Sequence, residues 1–309
     1  MIMPVYKGES TVEKTLESLL AQTKKFDELI VVDDASPDRS KEIIEDYLRG
    51  KEECRLIAHK KNMGLAKSYN DGILESKGNL IVTLHQDVIL EPDALQELVE
   101  PFSDKKVVAA GHWSVFPDPV WKKFGFWQKC FFARFVGKEI PGINGQFDCF
   151  RKDALQKAGL FDGTRFRTAG EDGDIVYKLS RLGKIVQTKA RLIHLQATSP
   201  DFGPKDIIWK QKQHSEARGA LLALGRIGGI GHFAKVFFRE IMLFALLVPY
   251  LNIASAILII VYSFLYTGPV YLREFRDARI IILPFFNIYL LLVGFIYSLK
   301  GFIFKKQTI

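Results

Sequence analysis

Leu80-Ile81-Val82-Thr83-Leu84-His85-Gln86-Asp87 is the stretch on which the reading of this chain turns. An apolar run rich in β-branched residues follows Gly78-Asn79 and ends abruptly in polar groups. A run without alternation is the pattern of a strand buried on both faces of a parallel sheet. Ligands of open α/β sheets collect beyond the carboxyl ends of such strands, and Asp87 falls there. A carboxylate in that position either starts a turn or holds a divalent cation, which in turn holds a diphosphate.

Working outward, the same architecture repeats. Met1 to Val5 reads as the end of a first strand. Ser10 with Glu13 matches a capping box, opening a helix with the stripe Val12, Leu16, Leu19 and Leu20. Glu28 to Val32 reads as a second strand closed by Asp33-Asp34, and Ser36-Pro37 as the start of a helix carrying Ile43, Ile44, Tyr47 and Leu48. Arg55 to Ala58 reads as a third strand, followed by a polar loop to Gly64 and a helix to about Glu75. Strands alternating with helices predict right-handed βαβ units on a parallel sheet. No G-x-G-x-x-G follows the first strand and no G-x-x-x-x-G-K-[ST] occurs, so a dinucleotide fingerprint and a P-loop are both excluded.

The chain has 309 residues, net charge +8, an isoelectric point near 9.2 and a mean hydropathy of +0.06. Its basic balance suits acidic partners such as nucleotide phosphates or anionic lipid. Cys54, Cys130 and Cys149 make an odd count without a CxxC pair, which fits a reducing compartment rather than a disulfide framework or structural zinc. The first residues lack a signal-peptide pattern, so none is expected. Two uncharged runs, Ile241 to Tyr266 and Ile280 to Leu299, are each long enough to span a bilayer. They predict a membrane hairpin with the preceding domain and the tail on the cytoplasmic side, and the loop around Arg273 outside. Between Gly111 and Phe135, aromatics interleave with Lys122, Lys123, Lys129 and Arg134. That composition predicts a helix lying in a membrane interface, a cover over the sheet or an oligomer face; no nucleic-acid motif accompanies it, so no nucleic-acid partner is expected.

One ordered set of residues carries a resemblance. It comprises Pro4-Val5-Tyr6 with Glu9, Val31-Val32-Asp33-Asp34-Ala35-Ser36, Asn62-Met63-Gly64 with Asn70, the Asp87 strand end, Gly170-Glu171-Asp172, and His194. In order and spacing this set resembles the family 2 glycosyltransferases, with the GT-A fold, over about residues 1–200. The resemblance implies an α/β, Rossmann-like catalytic domain with a mostly parallel central sheet, its donor half at about 1–106 and acceptor half at about 107–200. A basic juxtamembrane segment (201–240), a two-helix membrane hairpin (241–299) and a basic tail (300–309) complete the expected organisation.

The resemblance further implies a nucleoside-diphosphate sugar bound by Pro4, Tyr6, Glu9, Asp33, Asp34, Gly64 and Gln86. Asp87 and His194 become metal ligands, Asp172 the catalytic base, Glu171 and Asp174 its supporting residues, and Gly142 to Arg151 the stretch facing the acceptor. One position departs from the family: where a D-x-D signature is usual, this chain has His85-Gln86-Asp87. His85 is then either a third ligand or a hydrogen-bonded strand-end residue. Imidazole favours softer ions, so Mn2+ is expected over Mg2+. The implied activity is inverting transfer to a hydroxyl of a lipid-linked or envelope glycan acceptor at the membrane. A polyprenyl-phosphate glycosyl synthase, whose acceptor is already ionised, is the alternative reading, and a non-catalytic membrane scaffold a third.

Overall fold

The computed structural model describes residues 1–167, 169–195 and 201–308. The chain forms two compact units: Met1–Pro117 with Gly137–Ala197, and Asp118–Val136 with Thr198–Ile309. The boundary expected at Pro200 lies outside the described residues.

In the first unit the predicted alternation is present. It runs β1 (Ile2–Val5), α1 (Val12–Leu20), β2 (Leu29–Asp33), α2 (Ser40–Leu48), β3 (Cys54–Ala58), α3 (Leu65–Glu75) and β4 (Leu80–Leu84). Then come β5 (Val88–Leu90), α4 (Ala94–Val99) and β6 (Val107–Val115); α5 (Phe126–Phe132) belongs to the second unit. The first unit resumes with β7 (Glu139–Gly142), β8 (Phe147–Arg151), α6 (Lys152–Lys157), α7 (Glu171–Leu179) and β9 (Lys184–His194).

The sheet runs β3-β2-β1-β4-β8-β6-β9-β5, with β7 added beside β6. The first four of these strands are mutually parallel. Beyond β4 the order becomes mixed: β8 is antiparallel to β4 and β6, β7 to β6, and β5 to β9, while β6 and β9 are parallel. The expectation of a mostly parallel sheet is therefore corrected. It was read from the βαβ units of the amino-terminal half alone.

Successive strand residues feed opposite faces of the sheet, as the pleat requires. Met3, Val5, Val31, Val82 and Leu84 join one core with helices α1, α2 and α4, while Ile2, Ile30, Val32 and Ile81 join the other with α3, α6 and α7. Burial on both faces explains why the strands read as continuous apolar runs.

Two helix starts differ from expectation. The capping box at Ser10 is not made: α1 begins at Val12, and the Thr11 and Val12 N–H groups donate to Gly8 O at 2.9 Å. Ser36-Pro37 lies in the loop before α2. That loop is tied to the one before α1 by Lys7 N donating to Ser36 Oγ at 3.2 Å, and Gly8 N donates to Ser40 Oγ, the first residue of α2, at 2.7 Å. At α1 a backbone turn onto Gly8 replaced the side-chain cap, and at α2 a contact distant in sequence did.

The second unit adds α8 (Pro204–Ala223), α9 (Ile230–Val236), α10 (Phe238–Ala245), α11 (Asn252–Leu265), α12 (Gly268–Arg273) and α13 (Leu283–Phe304). Trp121, Phe124, Phe126 and Cys130 bury against Ile207, Val270, Leu283 and Leu290. The aromatic segment, read from sequence within the acceptor half and as a candidate interfacial helix, thus packs its rings inward against the carboxyl-terminal helices. Among the described residues one helix, Ala278–Phe304, is long and apolar enough to cross a membrane. The first uncharged run is not one helix. It breaks between α10 and α11, where Pro249 interrupts the backbone hydrogen-bond ladder and Tyr250 takes a positive φ of 71°.

Candidate active site

The carboxyl ends of β1, β2 and β4 carry Tyr6, Asp33-Asp34 and His85-Gln86-Asp87 respectively. Asp87 is held from several directions. Thr15 of α1 donates its hydroxyl to Gln86 O at 2.7 Å and accepts from Val88 N at 3.2 Å. Gln86 accepts from Tyr6 N at 2.8 Å and donates back to Tyr6 O at 3.0 Å, so its side chain closes a two-bond clasp. Leu195 N donates to Asp87 O at 2.7 Å, and His85 N to Gln146 O at 2.9 Å.

The antiparallel pairing of β5 with β9 sets Val88 opposite His194 and brings that histidine to the same corner. His194 Nε2 lies 3.3 Å from Asp87 Oδ2, and His85 Nδ1 lies 3.9 Å from Asp87 Oδ1. Ligating atoms of His85, Asp87 and His194 all fall within 4.8 Å of one another. Burial lowers the His85 pKa and keeps the ring neutral, and its Nε2 is buried without a hydrogen-bond partner among the described residues. For Asp87, burial pushes upward, but the His194 hydrogen bond and the two imidazoles outweigh it and hold the carboxyl below its ordinary value.

Tyr69 ties this corner to a second acidic group. Its hydroxyl donates to Gly145 O at 2.8 Å. Burial first, then the charges of Asp148, Glu171, Asp87 and Asp172, raise its pKa well above the phenolic range, so four carboxylates act on one ring. Glu171 and Asp172 open α7. Burial, with the Asp172 charge behind it, raises Glu171, whose Oε2 has no partner among the described residues. Asp172 is likewise raised by burial, even though Gly173 N donates to its Oδ1 at 2.7 Å. Asp174 is buried and paired with Lys178 one turn on. Asp172 and Asp174 therefore occupy different surroundings, as helical divergence requires.

On the β1–β3 side, Asp34 is buried and fully engaged. It accepts from Met63 N at 2.7 Å, Gly64 N at 2.9 Å and His59 Nδ1 at 2.7 Å. Gly64, with φ +89°, turns its N–H into this carboxylate at no steric cost. Asp33 is buried and accepts from Ser36 N at 3.3 Å. Glu9 is exposed and accepts from Arg39 N at 3.2 Å, and Pro4 is a buried strand residue opposite Val32.

Sequence reasoning missed a buried pair. His112 Nδ1 and Asp148 Oδ1 stand 2.9 Å apart with both side chains wholly buried. Asp148 Oδ2 also accepts from Asn144 N at 3.0 Å and Gly145 N at 2.6 Å, which fixes the loop beside His85 and Tyr69. The signal was present as a lone histidine and a lone aspartate inside apolar strand runs, since buried polar groups need partners.

The family model for Glycosyl transferase family 2 matches residues 1–159, just over half the chain. The chain belongs to glycosyl transferase family 2. Among family relatives, the uncharacterized glycosyltransferase EpsJ of Bacillus subtilis is 35% identical over 111 residues, 36% of this chain and 32% of that protein. A poly-beta-1,6-N-acetyl-D-glucosamine synthase of Staphylococcus epidermidis is 24% identical over 224 residues, 68% of this chain and 52% of that one. The chain thus spans about a third to a half of the length of these curated relatives. Among solved structures, a mannosyltransferase from Pyrobaculum calidifontis aligns with a TM-score of 0.61 at 16% identity, covering 99% of this chain and 87% of that one. That likeness establishes a GT-A-like α/β fold for this family 2 chain.

Proposed function

We propose that this chain moves a sugar from a nucleoside-diphosphate sugar to an acceptor hydroxyl, with inversion at the anomeric carbon. The observation that carries the reading is the convergence of His85, Asp87 and His194 within 4.8 Å at a strand end of a family 2 chain. The donor set fits a divalent cation: a neutral His85, an ionised Asp87 and a second imidazole are ligating forms. Two nitrogens and one carboxylate suit Mn2+ better than Mg2+. His85, Asp87 and His194 would hold the ion, which when bound supplies positive charge against the diphosphate leaving group. Two structural neighbours support these classes: the Pyrobaculum enzyme was solved with GDP-Man and Mn2+, and GalNAc-T7 with UDP, GalNAc and Mn2+.

In the reaction the acceptor oxygen attacks the anomeric carbon opposite the diphosphate. The new C–O bond forms as the bond to diphosphate breaks, and Asp172 takes the hydroxyl proton. Its burial-raised pKa makes it a stronger base than a solvated aspartate. Glu171, kept protonated through neutral pH, spares Asp172 a like charge beside it, and Asp174 acts within α7 through Lys178. Tyr6, Glu9, Asp33, Asp34 and Gly64 form the base and ribose end of the donor site, with Pro4 and Gln86 fixing the β1 end beside it.

The acceptor is a lipid-linked or envelope glycan, and the catalytic unit works on the cytoplasmic side, where nucleotide sugars are made. The apolar surface of the second unit supports a membrane location. A two-span hairpin is not part of this reading, because the 241–266 run is broken at Pro249-Tyr250. The test is release of nucleoside diphosphate from a panel of nucleotide sugars by the purified full chain with Mn2+. Turnover of at least one donor, lost in EDTA and in Asp87→Ala, is expected; no release from any donor with any divalent ion sinks the proposal.

A further inference from the structure

In the second unit, α10, α11 and α13 each keep exposed apolar residues. On α13, Leu283, Asn287, Leu290, Gly294, Ser298 and Gly301 are buried. The opposite stripe, Phe285, Tyr289, Leu292, Ile296, Leu299 and Ile303, is exposed along the whole helix at alternating spacings of four and three. α11 buries only Ser255, Ile259 and Ser263. The break between α10 and α11 forms an apolar tip, with Leu247 79% and Tyr250 97% exposed.

What lies against the buried stripe decides how this surface meets lipid. α8 runs parallel to α13 in close contact. A Cβ at Gly219 would overlap the Ser298 carbonyl, one at Gly301 the Glu216 carbonyl, and one at Gly294 would stand 2.6 Å from Gln211 Nε2. Extended back along both helices, this register sets the exposed Lys205 and Asp206 beside Ile288 and Tyr289, the middle of the apolar run. Charged groups also grip its carboxyl-terminal half. Arg218 pairs with Glu240 at 2.6 Å, Ser298 Oγ donates to Glu240 Oε1 at 2.8 Å, and Lys300 pairs with Glu216 at 3.3 Å. Were α13 to cross a bilayer, α8 would start at its midplane with two exposed charges in hydrocarbon, which is costly. The helix is long enough to span, but its pairing with α8 disfavours a crossing.

Charge identifies the occupant of the open face. Residues 225–309 hold nine Lys and Arg against three Asp and Glu. Glu240 is buried, Glu274 is paired with Lys129 and Asp277 with Arg279, while Lys235, Arg276, Lys305 and Lys306 are exposed at helix ends. Apolar stripes with basic ends are the make-up of helices lying in the interface of an anionic membrane.

We infer that α10, α11 and α13 lie in the plane of one leaflet of an anionic bilayer and do not cross it. The inference shares a membrane with the proposed function but none of its chemistry. Two arms test it with the full chain. First, a cysteine replaces Arg276 or Lys306 in a Cys54→Ser background, where the remaining Cys130 and Cys149 are buried, and an impermeant maleimide is applied to intact cells and then to permeabilised ones. Both positions should react only after permeabilisation. Reaction at position 276 from outside would establish a crossing helix and overturn the inference.

Second, purified protein is floated with preformed vesicles of phosphatidylcholine alone or with a quarter phosphatidylglycerol. Binding should favour the anionic vesicles, and Phe285→Glu with Ile296→Glu should weaken it by at least about 100-fold with the thermal transition unchanged. Both positions are exposed, so folding is not at stake. Unweakened binding, or a stable dimer that binds no vesicles, would refute a lipid-covered face. Donor hydrolysis in solution should survive the double substitution. Its absence from the parent chain would count against the transferase reading and leave this one standing.

Discussion

His194 Nε2 stands 3.3 Å from Asp87 Oδ2, an approach set by the antiparallel register of Val88 with His194. Neither residue has a local reason to meet the other. The strand pairing creates the contact, and His85 completes a group with ligand atoms inside 4.8 Å.

Removing the carboxylate should therefore remove the cation. A ligand at one hundred times its Kd that binds only the folded state stabilises it by about 2.7 kcal/mol. Mn2+ should raise the thermal transition of the parent chain by a corresponding amount, not that of Asp87→Ala, and less that of His194→Ala. An unchanged response in both variants would assign the ion to another site.

Asp172→Asn keeps size and the Gly173 hydrogen bond but cannot accept a proton. It should lower turnover by about 10²–10⁴-fold with donor affinity nearly unchanged, read as kcat against KM. Normal transfer by this variant would favour an acceptor that is already ionised, a lipid phosphate, over a hydroxyl.

Glu171 should give the protein a pH-dependent stability of definite sign. Burial and the Asp172 charge raise its folded pKa to about 8, above the ordinary 4.5. Between those values the folded state binds the extra proton, so the contribution is complete below pH 4.5 and is lost as pH rises through about 8. Glu171→Gln mimics the protonated form at every pH. The difference in transition temperature, variant minus parent, should climb from pH 5 to pH 9; a flat difference would show that Glu171 is ionised like a solvated carboxylate.

Breaking the His112–Asp148 pair should cost more stability than any change at the cleft mouth. Both side chains are wholly buried, and Asp148 also satisfies the Asn144 and Gly145 N–H groups. Asp148→Ala leaves His112 Nδ1 and two backbone donors without partners, while His112 Nε2 keeps Ser114 Oγ, a loss of about 3–5 kcal/mol for a broken buried pair. Urea unfolding reads it directly, and a cost under 1 kcal/mol would mean that the site relaxes or admits water.

The parallel half of the sheet was readable because residues buried on both faces leave an unbroken apolar signature, as in Leu80 to Leu84. Its mixed half was not: β8 and β6 carry the same kinds of residue, and nothing in composition states strand direction. Asp87 and His194 were named from sequence, but their meeting depends on the β5–β9 register. The Thr15 bridge to Gln86 and Val88 was invisible, since a threonine on a helix face has no sequence signature until the strand end docks on it. Residues 118–136 show the limit of composition most clearly. Aromatics among lysines suit a membrane interface and a packed core equally well, and here Trp121 and Phe126 went inward.

The place of β9 in the sheet, between β6 and β5, also sets when the corner of His85, Asp87 and His194 can be assembled. His85 and Asp87 leave the ribosome early, but β5 has no pairing partner until Lys184–His194 arrives. At 5–20 residues per second that wait is roughly 5–20 s. A nascent chain shorter than this lacks one of the three converging side chains, so the cluster becomes complete only after the rest of the sheet has been synthesised.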